Sequence, residues 1–332
     1  MIATLEKLAL DRWEDIAAGR ARPSRFHIAK LSHEQYPPEV SPLVFLLFPD
    51  RAARPAAVAK VARVAAGDAA IETEARALEN VRRSLPSPLR DQVPRPFGGG
   101  TLNGRAYLLE TALAGEVELH HTWGARGARR SRSRIRAALE WIGQAQAATA
   151  SSSVRASDWL APSPDEILRG LERLGCGGEA LARFSRLVPE LATTQWPGAL
   201  VHGDFFPGNV LFGRASSSAA GWRDIAVVDW MLAESCAPSF VDVVTYELSF
   251  STQAVHSGRR PTADEIRAVH DLEPFATARA GWRQRGVDIG LGSLARFATM
   301  AHAALRDGDP AAGRGRIGST WARLLEFELE MF

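Results

Sequence analysis

Lysine is nearly missing from this chain. Of 40 basic residues in 332, only Lys7, Lys30 and Lys60 are Lys and the rest are Arg. Arg supplies the generic positive charge, so each Lys asks for a reason of its own. Cysteine is scarce as well. Cys176 and Cys236 stand in unrelated contexts, without the paired spacing of a metal knuckle or a disulfide framework. A reducing, cytoplasmic setting is the expectation. No apolar run reaches the roughly 18 residues of a membrane helix, and no membrane span is expected. The start, MIATLEKLALDRWEDIA, carries acids within its apolar pattern and reads as an amphipathic helix rather than a signal peptide. Charge of one sign is also lacking. The formal net charge is +2, so nucleic acid is not an expected partner. The one basic run, RGARRSRSRIR at 126–136, reads as a solvated face.

What is present suffices for a sizeable core: 46% of residues are hydrophobic and 23% charged. Residues 4–18 suit a helix. RFHIAKLS (25–32), PLVFLLFP (42–49) and AAVAKVARV (56–64) read as strands, the last weakened by its alanines. AIETEARALENVRRSL (70–85) repeats Ala75, Leu78 and Val81 at helical spacing, and Pro86 and Pro88 end it. A strand around Phe97, a Gly/Asn turn and a strand from Ala106 to Leu109 follow. Beyond Leu113 helical patterns dominate, at about 131–150, 164–174, 178–191, 263–285, 290–306 and 318–331. The expected fold is α+β and bilobal. A β-rich N-lobe with one long helix covers 1–111, and a larger, mainly helical C-lobe covers 112–332.

Two short stretches interrupt the helices. LVHGDFFPGNVLF (200–212) sets His202, Asp204 and Asn209 between two apolar runs, and ASSSAAG (215–221) forms a surface turn. IAVVDW (225–230) is then a buried-strand pattern that ends on Asp229. A carboxylate there is costly unless it is paired or binds a cation. Asp and Asn oxygens suit Mg²⁺, a hard cation often shared with substrate phosphates. A separate carboxylate can accept a proton from an attacking hydroxyl. Asp204 is therefore the expected base or orienting group, with Asn209 and Asp229 as metal ligands.

The pattern H-G-D-x-x-x-x-N, followed by an apolar strand and D-W, resembles the catalytic core of the aminoglycoside phosphotransferase and choline kinase family. That family is similar to protein kinases, whose H-R-D-x-x-x-x-N and D-F-G play the same parts. Gly203 stands where protein kinases have Arg, and Trp230 where they have Phe. The resemblance implies a kinase fold, with ATP or GTP as co-substrate, Mg²⁺, and a small-molecule hydroxyl as acceptor. It implies a phosphate-holding Lys on the third strand, which is Lys60; Lys30 is the rival. It implies a Glu on the next helix to set that Lys: Glu74 by the E-A-x-x-L pattern, with Glu72 and Glu79 as alternatives. Backbone groups at Glu110-Thr111-Ala112 would meet the adenine. Asp242 would brace the catalytic loop, and His202 would be structural. The likeness covers about 25–250; the C-terminal helices match in character only.

Some features depart from the pattern. The loop SHEQYPPEVS, which should cover the phosphates, has no glycine, so backbone amides approach them less freely. Ser32 offers a hydroxyl there. Met231 stands where the family often has Glu. The helix before the catalytic loop carries Gln146-Ala147 in place of Leu-His. Trp123, Trp159 and Trp282 are core residues or the lining of an acceptor pocket. The pair His120-His121 is a surface feature, since adjacent side chains diverge. Charges after Pro261 are balanced, so a polycationic acceptor is not favoured. The expected function is phosphoryl transfer to a small molecule such as an antibiotic. The alternatives are a metabolic choline, homoserine or sugar kinase, and a non-catalytic nucleotide-binding protein. A protein kinase is disfavoured, because no A-P-E motif follows Asp229.

Overall fold

In a computed structural model of the chain, residues 1–17, 19–31, 38, 41–50, 52–117, 124–160, 163–213, 222–256, 259–308 and 315–331 are described. They form two compact units. The first comprises Met1–Gly115 with Ala226–Ala233, and the second Glu116–Ile225 with Glu234–Phe332.

The first unit opens with helices α1 (Ile2–Asp11) and α2 (Trp13–Ile16). They replace the single helix expected over 4–18, with the break at Arg12. Strands β1 (Phe26–Lys30), β2 (Leu43–Pro49) and β3 (Ala57–Val61) follow, then helix α3 (Asp68–Ser84) and strands β4 (Pro96–Leu102) and β5 (Arg105–Thr111). The sheet order is β1-β2-β3-β5-β4, and every pairing in it is antiparallel. Alternation sorts β3 into two faces. Ala57, Ala59 and Val61 belong to the core that includes Leu5, Ala9 and Trp13 of α1 and α2. Val58 and Lys60 point the other way. The alanines that weaken β3 as a strand are thus small residues at a close-packed face. Helix α3 buries Ile71, Glu74, Leu78 and Val81, a stripe at helical spacing. The Asp68 carboxylate ties its start to β5 by accepting the Ala106 amide at 2.8 Å.

The second unit begins with strand β6 (Glu116–Val117), helices α4 (Gly124–Arg130) and α5 (Arg132–Ala148) and strand β7 (Ser151–Arg155). Helices α6 (Ala156–Leu160), α7 (Pro164–Arg173) and α8 (Gly178–Thr193) lead to strand β8 (Gln195–Val201). Next comes β9 (Val210–Phe212); β10 (Ile225–Val227) then starts at the boundary and runs into the first unit's segment Ala226–Ala233, and β11 (Glu234–Pro238) follows in the second unit. Five helices finish it: α9 (Val241–His256), α10 (Ala263–His270), α11 (Glu273–Gln284), α12 (Leu294–Asp307) and α13 (Gly315–Met331). Strand β8 lies between β11 and β7 in one sheet.

Four differences from the sequence reading have physical causes. The helix expected over 263–285 is two helices, because Pro274 lacks an amide and opens α11 in its first turn. The helix expected from 290 starts at Leu294, where the Ser293 hydroxyl caps it by accepting the Arg296 amide at 3.3 Å. Helix α9 was not expected at all. Its residues 241–250 are all buried, so no polar stripe marks a helical period. Strand β10 stops at Val227, and Asp229 lies beyond it with φ at 65° rather than at a strand end. The turn 215–221 lies outside the described residues.

A buried ion network joins these helices. Glu247 of α9 meets Arg296 of α12 at 2.6 Å, His270 of α10 at 2.9 Å and Arg279 of α11 at 3.3 Å. Arg296 also reaches Glu328 of α13 at 2.7 Å. Burial acts against the Glu247 charge, but Arg296, His270 and Arg279 hold its carboxyl down at about 2. The folded value lies below the ordinary 4.5. Its stabilisation is therefore present above 4.5 and lost as pH falls toward 2, on the order of 3 kcal/mol in all. Removing one partner from such a pair costs about 3–5 kcal/mol. Glu247→Gln should lose about that much in urea unfolding at neutral pH, and the gap to wild type should narrow as pH drops below 4.5. An unchanged gap across that window would contradict the assignment.

Candidate active site

In the first unit the site is built around Lys60. Antiparallel pairing sets Lys60 of β3 opposite Leu108 of β5, and Val58 opposite Glu110. Lys60 and Glu110 therefore share one face of the sheet. Lys60, Glu74 and Glu110 are 7%, 3% and 3% exposed. The Lys60 ammonium pairs with the Glu74 carboxylate. Its nitrogen also lies 3.6 Å from Glu110 and 3.8 Å from Asp229. Burial alone would pull the ammonium down, but Glu110, Glu74 and Asp229 hold it well above its ordinary value. The acids move upward. Burial pushes Glu74 to about 8 against the pull of Lys60, and burial raises Glu110 too. One cation thus stands among three carboxylates, and one Glu110 oxygen has no hydrogen-bond partner among the described residues.

The sequence candidates sort clearly within this unit. Glu72 and Glu79 are exposed on α3, as is Lys30 at the end of β1. Glu74 and Lys60 are the pair that meets. The hinge residues behave less simply. The Ala112 amide donates to the Ala56 carbonyl at 3.1 Å, and the Thr111 amide to the Arg95 carbonyl at 3.0 Å. The sheet ladder thus runs one residue past β5 and engages the Ala112 amide. Sequence reading placed Glu110 here for its backbone and missed the side chain, because the register that turns it toward Lys60 is a pairing between distant strands. Ser32 lies outside the described residues, as do His120, His121 and Trp123.

In the second unit the loop from His202 to Asn209 leaves β8. Gly203 has φ at 79°, a left-handed conformation that disfavours a side chain. Asp242, fully buried in the first turn of α9, accepts the amides of His202 at 2.8 Å and Gly203 at 3.0 Å. Burial pushes the Asp242 carboxyl up to about 7, against the pull of those two amides. The Asp204 amide donates to Nδ1 of the buried His202 ring at 3.2 Å. Asn209 donates through Nδ2 to the Asp204 carbonyl at 2.9 Å. Phe205 anchors the loop from below, with its ring stacked at 6.3 Å on Trp141 of α5 and tilted at 5.2 Å against Tyr246 of α9.

Two further parts bear on chemistry. With Nδ2 spent on Asp204, the Asn209 amide keeps its oxygen Oδ1 as a donor atom for a hard cation. The Asp229 carboxylate is half-exposed, at 51% of its side chain, and is likewise an oxygen donor. Both residues fit Mg²⁺ in type. Trp230 fixes the turn at Asp229 by donating from its indole nitrogen to the Val227 carbonyl at 2.9 Å. The other addition is Arg306 of α12, which donates to the Gly203 carbonyl at 2.6 Å. No sequence pattern pointed to it. Trp159 and Trp282 are both buried. Trp159 stacks on His302 at 4.1 Å, and Trp282 meets Phe240 edge-on at 6.2 Å.

The phosphotransferase enzyme family model matches residues 33–244. Among solved structures, a candidate aminoglycoside phosphotransferase from Ralstonia eutropha JMP134 is 15% identical, with a TM-score of 0.56 over 97% of this chain and 98% of its own. A candidate fructosamine-3-kinase from Haemophilus somnus 129PT is 12% identical, with 0.54 over 98% and 96%. An amicoumacin kinase in complex with AMP-PNP and Ca²⁺ is 14% identical, with 0.50 over 98% and 92%. These likenesses show a kinase-like fold. No curated protein matches the chain.

Lys60 is the counter-ion of three acids, so its loss strands buried charge. Lys60→Met should cost about 3–5 kcal/mol in urea unfolding. Glu110→Gln removes an acid with an unsatisfied oxygen and should be neutral or stabilising by up to about 1 kcal/mol. Equal losses in the two variants would mean that Lys60 depends on Glu110 as much as on Glu74.

Proposed function

The chain belongs to the phosphotransferase enzyme family and is a kinase-like enzyme of small molecules; on that premise we propose that it moves the γ-phosphoryl group of ATP or GTP to a hydroxyl. The observation that carries this reading is the turn at Asp204. Its backbone is tied to Asp242, His202, Asn209 and Arg306, while its carboxylate stays partly exposed. A carboxylate so fixed suits a base that takes a hydroxyl proton.

In the proposed reaction the acceptor oxygen attacks the γ-phosphorus, and the bond from that phosphorus to the β,γ-bridging oxygen breaks. The nucleoside diphosphate leaves with the electron pair. Asp204 accepts or orients the hydroxyl proton. Lys60, set by Glu74, binds nucleotide phosphate oxygens as a fixed positive charge. Asn209 and Asp229 would hold Mg²⁺, which when bound neutralises charge on the phosphate oxygens. His202 and Asp242 support the loop. At the hinge, backbone groups of Glu110-Thr111-Ala112 would meet the nucleobase.

The proposed acceptor is an antibiotic. In support, the Ala- and Arg-rich, Lys-poor composition resembles that of high-GC bacteria, where such kinases often modify antibiotics. Two of the similar structures are named for antibiotic substrates.

Nucleoside-diphosphate release with Mg²⁺ should be measured across aminoglycosides, peptide and nucleoside antibiotics, macrolides, choline, homoserine and sugars. One acceptor should respond. Asp204→Ala and Asp229→Ala should each cut its turnover at least about 100-fold while leaving the fold intact. Full activity in either folded variant would sink the assignment of that residue.

A further inference from the structure

One peptide unit in the second unit is gripped at both of its polar atoms. The peptide between Gly203 and Asp204 offers a carbonyl and an amide. The amide donates to His202 Nδ1 at 3.2 Å, within the loop. The carbonyl accepts from Arg306 Nη1 at 2.6 Å, from a helix 103 residues away in sequence. The two preceding amides are already held by Asp242. Without Arg306 the carbonyl side of this peptide loses that hydrogen bond, and the plane that carries Asp204 is held at its amide side by His202.

Arg306 is itself fixed. Its Nε and Nη2 meet the two carboxylate oxygens of Asp307 at 3.0 and 3.1 Å. Adjacent side chains on a helix ordinarily diverge. Here the pair closes at the last residue of α12, with Gly308 as its C-cap. Two guanidinium nitrogens are spent on Asp307 and the third on Gly203, so the planar fork has little room to rotate. The side chain is 19% exposed. Burial works against its charge, yet Asp307, Asp204 and Glu234 hold the guanidinium above its ordinary value. Its Nη1 sits on the carbonyl of the peptide that carries Asp204, which brings the positive charge next to that residue.

Residue 203 makes the arrangement intelligible. Its left-handed backbone favours Gly, so the loop brings no side-chain cation of its own at this position. A cation beside Asp204 has to come from another element. We infer that Arg306 is a positioning residue for Asp204: it orients the peptide that carries the carboxylate and sets a positive charge beside it. The catalytic part of this inference rests on the reading of Asp204 as the acceptor-side base.

The test compares wild type, Arg306→Gln, Arg306→Lys and Arg306→Ala. Hydrogen exchange of residues 200–212 is read by mass spectrometry, and kcat and KM are measured with the responsive acceptor. In Arg306→Gln the loop should exchange about 10-fold faster than in wild type. Its kcat should fall about 10- to 100-fold with the nucleotide KM unchanged. Guanidinium ion at millimolar levels should restore part of the kcat of Arg306→Ala. Unaltered loop exchange in a folded Arg306→Gln would overturn the inference, as would a kcat within about twofold of wild type. A loss confined to the exchange of α12 would make Arg306 a helix anchor only, and would overturn it too. Should Arg306→Gln not fold, Arg306→Lys carries the same comparison, since it keeps the charge and loses the fork. If wild type turns over no acceptor, the kinase reading fails, while the exchange data still decide whether Arg306 holds the loop.

Discussion

The carboxylate of Asp242 organises the catalytic loop. Two consecutive amides, those of His202 and Gly203, converge on its two oxygens. Such convergence requires the chain to turn sharply, which the positive φ of Gly203 provides. It also requires the carboxylate to be immobile, which burial in the first turn of α9 provides. The helix adds its own field, since unsatisfied amides at a helix N-terminus favour negative charge there. Burial still raises the carboxyl to about 7, so the two loop amides are what keep the charged form within reach. Loop and helix thus depend on each other. The amides stabilise the acid, and the acid shapes the loop.

That dependence explains why the middle of α9 is built so heavily. Glu247 lies five residues beyond Asp242 and ties α9 to α10, α11 and α12 through His270, Arg279 and Arg296. Buried ion networks are weak devices for net stability, because desolvation offsets most of the attraction. They do fix register, since only one arrangement satisfies every charge. In this unit the register of α9 sets the place of Asp242, and that of α12 sets the place of Arg306. Both residues hold the same turn, Asp242 through the amides of His202 and Gly203 and Arg306 through the Gly203 carbonyl.

Much of this was legible in the sequence because it was local. The spacing of Asp204 and Asn209, the strand carrying Lys60 and the helix carrying Glu74 are short-range patterns. Scarcity sharpened one of them, for in a chain with three Lys the one on β3 stood out. What stayed hidden was either featureless or long-range. Helix α9 is buried on every side over its first ten residues and so has no polar stripe to betray its period. The side chain of Glu110 faces Lys60 only through the register of β3 with β5. Arg306 is one of many arginines, and its partner is a backbone carbonyl 103 residues away. The turn at Asp229 was misread as a strand end, because apolar residues announce burial without announcing where the strand stops.

The two charge clusters, one in each unit, use their cation differently. Around Lys60 the charges are unbalanced, with three acids to one cation, and Glu74 and Glu110 are pushed toward their neutral forms. An excess of negative charge beside a lysine is a costly ground state, and it is relieved by any cation or proton that enters. A group that needs both an ammonium and a metal ion, as a nucleotide phosphate does, fits such a setting. A metal ion held at Asp229 would satisfy the surplus acid and leave Lys60 charged for the phosphate. In the second unit Arg306 links Asp307 to the carbonyl of the loop that carries Asp204. The cation there serves geometry: it fixes a peptide plane, and with it the direction from which a partly exposed carboxylate can meet a proton.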